Sequence, residues 1–195
     1  MRTRNPERTR KRILAAALQE FSAKGLAGAR VDAIARRAQV NKRMLYHYFG
    51  DKEGLFRAIL RGKLAQQARW LTATPDDPVR SLPYWFTRAL RDPDWIRLMK
   101  WEALQQGAGP VIGEPERRQA FAQALGRLRE HQARGLLAPD LDPAQTLLSL
   151  MALTTFPLAF PQITRLVTGS SPTSTRFQRK RLRFLGAFAE RLRAR

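Results

Sequence analysis

The chain has 195 residues, enough for one large or two small domains, and 44% of them are hydrophobic, so a substantial core is possible. It contains no cysteine, which excludes disulfides, thiolate catalysis and cysteine zinc sites and fits a reducing compartment. Lys plus Arg total 36 against 16 Asp plus Glu, giving +20, an excess that favours a polyanionic partner: nucleic acid or an anionic membrane. Because arginine far outnumbers lysine and alanine and leucine abound, part of that excess reflects general composition, so where the charge sits matters more than its sum.

The N-terminal MRTRNPERTRKR is charged and has no apolar run of the kind a secretory signal needs. Arg2, Arg4, Arg8, Arg10, Lys11 and Arg12 there suit phosphate neutralisation. Helix starts are marked by Asn5-Pro6, Asp77-Pro78, Asp92-Pro93, Glu114-Pro115, Asp142-Pro143 and Ser171-Pro172, since proline favours the first helical position after a capping side chain. No segment alternates as a strand would, so the chain is expected to be all-α, with about nine helices.

The first helix is expected from Pro6 to Lys24, with Ile13, Leu14, Ala17, Leu18 and Phe21 forming its apolar stripe and Gly25 ending it. Val31, Ile34, Ala35 and Ala38 mark a short second helix. A tight turn at Gln39-Val40 follows, and Asn41 caps a third helix over Lys42–Phe49, closed by Gly50. Asp51 caps a fourth, lined by Leu55, Phe56, Ile59, Leu60 and Leu64. Further helices are expected near 78–91, 93–106, 114–135, 143–168 and 172–194, with Pro157 kinking the fourth of these.

Two short helices joined by a tight turn make a helix-turn-helix, whose second helix can enter the DNA major groove. At about 100° per residue, Leu45 and Phe49 of that second helix share its inner side. Arg43 and His47 then point outward, with Met44 beside them and Lys42 and Tyr46 along one edge. Arg43 suits a bidentate pair to guanine, His47 a base edge, and Met44 a thymine methyl, while Lys42 and Tyr46 suit phosphate oxygens. Lys52, in a helix's first turn, opposes the helix dipole, a placement that makes sense if a phosphate sits there.

The segment RKRILAAALQEFSAKGLAGARVDAIARRAQVNKRMLYHYFGDKEGLFRAIL resembles the DNA-binding domain of the TetR family of transcriptional repressors. The resemblance covers about residues 7–67 and is carried most specifically by Ile34-Ala35, Val40, Leu45-Tyr46-His47-Tyr48-Phe49 and Lys52-Glu53. It implies a DNA-binding domain at 1–67 and a helical ligand-binding and dimerisation domain at 68–195. It also implies a homodimer on a palindromic operator, released by a small-molecule effector, in a bacterial-type cytoplasm at the nucleoid. By position, Tyr46 and Lys52 would hold phosphates and Arg43, Met44 and His47 would face bases. The sequence departs from the family where Gln39 replaces the usual turn glycine. Arg30 replaces the usual Ser or Thr cap, adding a possible phosphate donor, and Arg43 replaces a small residue.

In the C-terminal part, Leu147, Met151, Phe156 and Phe160 on one helix and Phe177, Phe184, Leu185, Phe188 and Leu192 on the last form stripes suited to a dimer interface. Trp85, Phe86, Trp95, Met99, Trp101 and Met151 are candidates for lining a ligand pocket. Pro143–Thr164 carries no charge, but its Gln, Thr, Ser and Pro residues fit a buried helix better than a membrane span. His47 and His131 have no partners at metal-ligand spacing and the paired aspartates sit at helix starts, so neither a metal site nor an enzyme is expected, and no cofactor beyond an unidentified effector. Two other functions compete: a sequence-nonspecific nucleic-acid-binding protein, and a peripheral membrane protein using the basic last helix through Arg179, Arg181 and Arg183.

Overall fold

The computed structural model describes residues 6–193; Arg2, Arg4 and Asn5, singled out above, lie outside them. Within the described residues the chain is all-helical, with ten helices: α1 (Pro6–Gly28), α2 (Val31–Ala38), α3 (Lys42–Phe49), α4 (Lys52–Thr72), α5 (Pro78–Arg91), α6 (Pro93–Gln106), α7 (Glu114–Ala133), α8 (Pro143–Ala159), α9 (Pro161–Thr168) and α10 (Thr175–Glu190). They divide into two compact units. The first holds the described residues up to Gln66 together with Arg97–Glu114; the second holds Gln67–Ile96 and Pro115 onward.

The first unit buries the apolar stripes expected of it. Ile13, Ala17 and Phe21 of α1, Ile34 of α2, Leu45 of α3 and Leu55 and Leu60 of α4 are almost fully removed from water. Phe21 and Phe56 meet edge to face, ring centroids 5.0 Å apart. Gly25 breaks α1 as expected, with φ 68° and ψ −179°, though one more turn follows to Gly28. The break is fixed from outside. The Trp101 ring lies where a Cβ on Gly25 would be, and its indole N–H donates to the Ser22 carbonyl at 3.3 Å.

In the second unit α5 packs against both α8 and α10. Leu82 and Phe86 from α5 and Phe177, Leu185 and Ala189 from α10 form the buried centre, flanked by Leu150, Leu153 and Leu158 of α8. Asp77 and Asp142 cap α5 and α8, accepting from the backbone N–H groups of Val79 and Gln145 at 3.0 and 2.8 Å. The last helix starts later than expected: Ser174, not Ser171, provides the cap, accepting from Phe177 N–H at 3.3 Å.

The expected helix over 143–168 is two helices, α8 and α9, bent by 91° at Phe160–Pro161. Pro157, the expected kink, lies inside α8. Lacking an N–H, it leaves the Leu153 carbonyl without its helical donor. Arg181 from α10 supplies one, its Nη2 donating at 2.6 Å. Pro157 is thus accommodated by a neighbour. Among the described residues no single helix is long and apolar enough to cross a membrane; only the bent α8–α9 pair reaches that composition.

Candidate nucleic-acid interface

The helix-turn-helix is built from α2, the Gln39–Val40 turn and α3. Gln39 takes the left-handed conformation, φ 52° and ψ 47°. Two backbone bonds close the turn: Gln39 N–H to Arg36 O at 3.1 Å and Val40 N–H to Ala35 O at 3.0 Å. Asn41 then starts α3, its side chain accepting from Met44 N–H at 2.8 Å. Gly50 ends it at φ 79°, donating to Tyr46 O at 2.8 Å. The result is a two-turn rod of eight residues, and an α-helix about 10–12 Å across with its side chains fits a major groove about 12 Å wide.

This rod is held by its inner side. Leu45 is 2% exposed, and Phe49 and Tyr48 are half-buried. The Arg10 guanidinium stacks over the Phe49 ring, 5.6 Å from its centroid, and Tyr48 Oη donates to Pro6 O at 3.4 Å. Lys42, Arg43, Tyr46 and His47 are exposed, and Met44 is half-buried between the two sides. The structure therefore places Arg43 and His47 on the outward face, with the half-buried Met44 beside them and Lys42 and Tyr46 along the edge, as the helical projection requires.

The surrounding charges are partly engaged. Lys42 Nζ lies 3.0 Å from Asp32 Oδ1, and the hydrogen bond from that carboxylate raises the lysine's pKa, helped by its charge. Lys52 Nζ reaches Ala27 O at 3.4 Å and Ala29 O at 3.5 Å, beside the end of α1. Arg30 provides no side-chain cap to α2; its side chain is exposed while its backbone N–H donates to Glu20 Oε1 at 3.3 Å. Two residues assigned above to phosphate neutralisation have internal work. Arg10 stacks on Phe49, and the Arg12 Nη2 donates to both Ala38 O and Gln39 O.

Glu20 was not singled out in the sequence, yet it is 2% exposed and central. It accepts from Lys24 Nζ at 2.7 Å and lies 3.6 Å from Arg37 Nη1. Its position among Ile13, Ala17 and Phe21, on the apolar stripe of α1, was the available signal.

The pocket candidates fall in both units. Met99 and Trp101 belong to the first unit, and Trp85, Phe86, Trp95 and Met151 to the second. Phe86 is fully buried, packed on Phe177 with ring centroids 6.5 Å apart; it is core rather than pocket wall, because α5 lies between α8 and α10. Trp101 is occupied against Gly25. Trp85, Trp95, Met99 and Met151 are half-buried, with Arg117 stacked over Trp95.

The dimer candidates also separate. Phe177 and Leu185, at 6% and 0% exposure, face α5 inside their own unit and are not available to a partner. Phe156, Phe160 and Phe184 are roughly half exposed, and Leu147, Met151, Phe188 and Leu192 are half-buried. The exposed Ile163, Leu166 and Val167 of α9 extend the apolar surface beyond the residues the sequence pointed to.

Comparison with known proteins agrees with this geometry. Residues 13–59 match the family described as bacterial regulatory proteins, tetR family, and residues 84–191 match the tetracyclin repressor-like C-terminal domain. The HTH-type transcriptional repressor SCO4008 of Streptomyces coelicolor is 33% identical over 179 residues, covering 90% of this chain and 91% of that protein. The HTH-type transcriptional repressor NicS of Pseudomonas putida is 31% identical over 167 residues, covering 80% and 78%. The crystal structure of the transcriptional regulator SCO4942 from Streptomyces coelicolor superposes with a TM-score of 0.79 at 29% identity, covering 95% of this chain and 98% of that one. This chain belongs to the TetR family of bacterial regulatory proteins, and is a DNA-binding regulator of transcription rather than an enzyme.

Proposed function

We propose that the protein is a homodimeric repressor that binds an inverted-repeat operator through two copies of α3 and leaves it when a small-molecule effector binds the C-terminal unit. The observation that carries this is the division of α3: Leu45 faces inward and Arg43 and His47 stand exposed one helical turn apart. A guanidinium and an imidazole on the outer side of a short rod are base-reading groups. Tyr46, Lys42, Lys52 and Arg30 surround them as phosphate contacts, which fix register rather than sequence. Opening the Lys42–Asp32 pair frees the ammonium for this role.

Repression is suggested by the names of SCO4008 and NicS. Dimerisation is supported by the half-exposed Phe156, Phe160 and Phe184, since apolar surface of this kind on α8 and α10 suits a four-helix contact. The effector acts only if it binds the DNA-competent and incompetent helix spacings unequally. A cytoplasmic, nucleoid-associated location follows from the DNA partner. Of the three arginines that membrane binding through α10 would use, Arg181 is engaged with Leu153 O and the Phe184 ring, which leaves Arg179 and Arg183 exposed.

Selection of bound duplexes from a random pool at physiological salt tests the proposal. Enrichment of an inverted repeat is expected, with half-sites about one helical turn apart. Absence of enrichment would replace it with sequence-nonspecific binding.

A further inference from the structure

Resting on the DNA-reading role of α3, we propose that Arg12 is a positioning residue that sets the angle of the recognition helix, and is not a phosphate contact despite lying in the basic N-terminal run. Three observations support this. The Nη2 of Arg12 donates to the carbonyls of Ala38 and Gln39, the last one at 2.9 Å. Those carbonyls close α2, where no further helical donor is available and the helix dipole is negative, so a guanidinium is favoured there. Gln39 is the only non-glycine residue with positive φ among the described residues.

The placement has a mechanical consequence. A side chain with a Cβ resists the left-handed conformation. If Gln39 relaxed to negative φ, the chain leaving it would swing, and Asn41 and α3 with it. Arg12 opposes this by gripping the carbonyls on both sides of the Gln39 nitrogen with two N–H groups of one terminal nitrogen. The other end of α3 is held from the same helix, through Arg10 over Phe49 and Tyr48 to Pro6 O. α1 thus fixes α3 at both ends, leaving its outer face for DNA. Loss of the Arg12 grip lowers the fraction of molecules with α3 correctly aimed, and apparent affinity falls in proportion.

The test uses the full-length protein and a duplex selected by the wild type from a random pool, with a scrambled duplex beside it. Arg12→Ala is expected to lose at least about tenfold in affinity for the selected duplex, the scale of a charged hydrogen bond, with binding to the scrambled duplex unchanged within about twofold. The slope of affinity against salt is expected to stay constant, whereas loss of a phosphate contact would lower it by about 0.9 per protomer. Gln39→Gly should restore most of the affinity in the Arg12→Ala background, because glycine adopts the left-handed turn without a brace. Arg12→Lys, with one flexible ammonium, should fall between.

Unchanged affinity for the selected duplex, or a uniform loss on both duplexes with a shallower salt slope, would overturn the positioning role. Amide exchange in the free protein separates this from failure of the operator proposal. Arg12→Ala should speed exchange at Val40 and Met44, and Gln39→Gly should slow it again; unaltered exchange overturns the brace even if the wild type selects no sequence.

Discussion

Trp101 packs against the break in α1 by lying where Gly25 has no side chain. A Cβ built on Gly25 would come within 2.9 Å of two ring atoms, and Gly25 has φ +68°, so the position excludes a side chain twice over. The same indole donates to Ser22 O, a carbonyl near the break in α1. Gly25→Ala is expected to destabilise the protein by about 2 kcal/mol or more, combining left-handed strain and overpacking. Denaturant unfolding measures the loss. Trp101→Leu should make the same alanine substitution less costly; an equal cost in both backgrounds would show that the ring plays no part.

Glu20 gives the DNA-binding unit a defined response to acid. The hydrogen bond from Lys24 lowers its pKa most; burial opposes this, while the Arg30 N–H and the charges of Lys24 and Arg37 lower it further. A carboxyl whose folded pKa is depressed stabilises the fold above its ordinary value, about 4.3 in the unfolded chain. That contribution disappears as pH falls through the lowered folded value. Glu20→Gln is expected to cost about 1 kcal/mol at neutral pH. Its unfolding should also depend less on pH than the wild type's below about pH 4.3. Parallel wild-type and variant curves across that range would exclude the carboxylate as the source.

Local features were legible in the sequence, because residues a few positions apart settle them. The caps at Asn41, Asp77 and Asp142 follow from short polar side chains at helix starts, and the inward Leu45 opposed by Arg43 and His47 follows from helical periodicity. Features that depend on a distant acceptor were not. Pro157 and Pro161 look alike in sequence, but Arg181 from α10 relieves the first, and the chain bends before the second. Arg12 reads as one more cation until Ala38 and Gln39 are brought to it. On α10, apolar residues cover more than one face, so the pattern could not say that Leu185 faces α5 while Phe184 faces outward.

The division of labour on α3 can be read from specificity profiles. Arg43→Ala is expected to relax preference at one base position per half-site, costing about 1–3 kcal/mol on the preferred sequence and little on others. Tyr46→Ala should weaken every sequence similarly, since a phosphate contact carries no base information. Lys52→Ala should do the same and lower the salt slope by about 0.9 per protomer. Equal, sequence-independent losses for Arg43→Ala and Tyr46→Ala would mean that neither side chain reads a base.

Neighbouring residues on α10 separate folding from assembly. Leu185 is fully buried with Leu82 and Phe86, whereas Phe184 is 48% exposed and stacks on Phe188 at 5.9 Å. Leu185→Ala should therefore destabilise the unit by about 2–5 kcal/mol, the range for a buried leucine left as a cavity. Phe184→Glu leaves that core intact and places a charge on the surface proposed to meet a second copy. It should convert dimer to monomer in sedimentation equilibrium while keeping the helical circular dichroism signal. Dimerisation itself adds apparent stability, so both variants must be unfolded at several protein concentrations. The Leu185→Ala deficit should persist at every concentration, and the Phe184→Glu deficit should vanish on dilution. If Phe184→Glu stays dimeric, the contact lies elsewhere, and Leu166 and Val167 of α9, at 71% and 78% exposure, become the surface to substitute next.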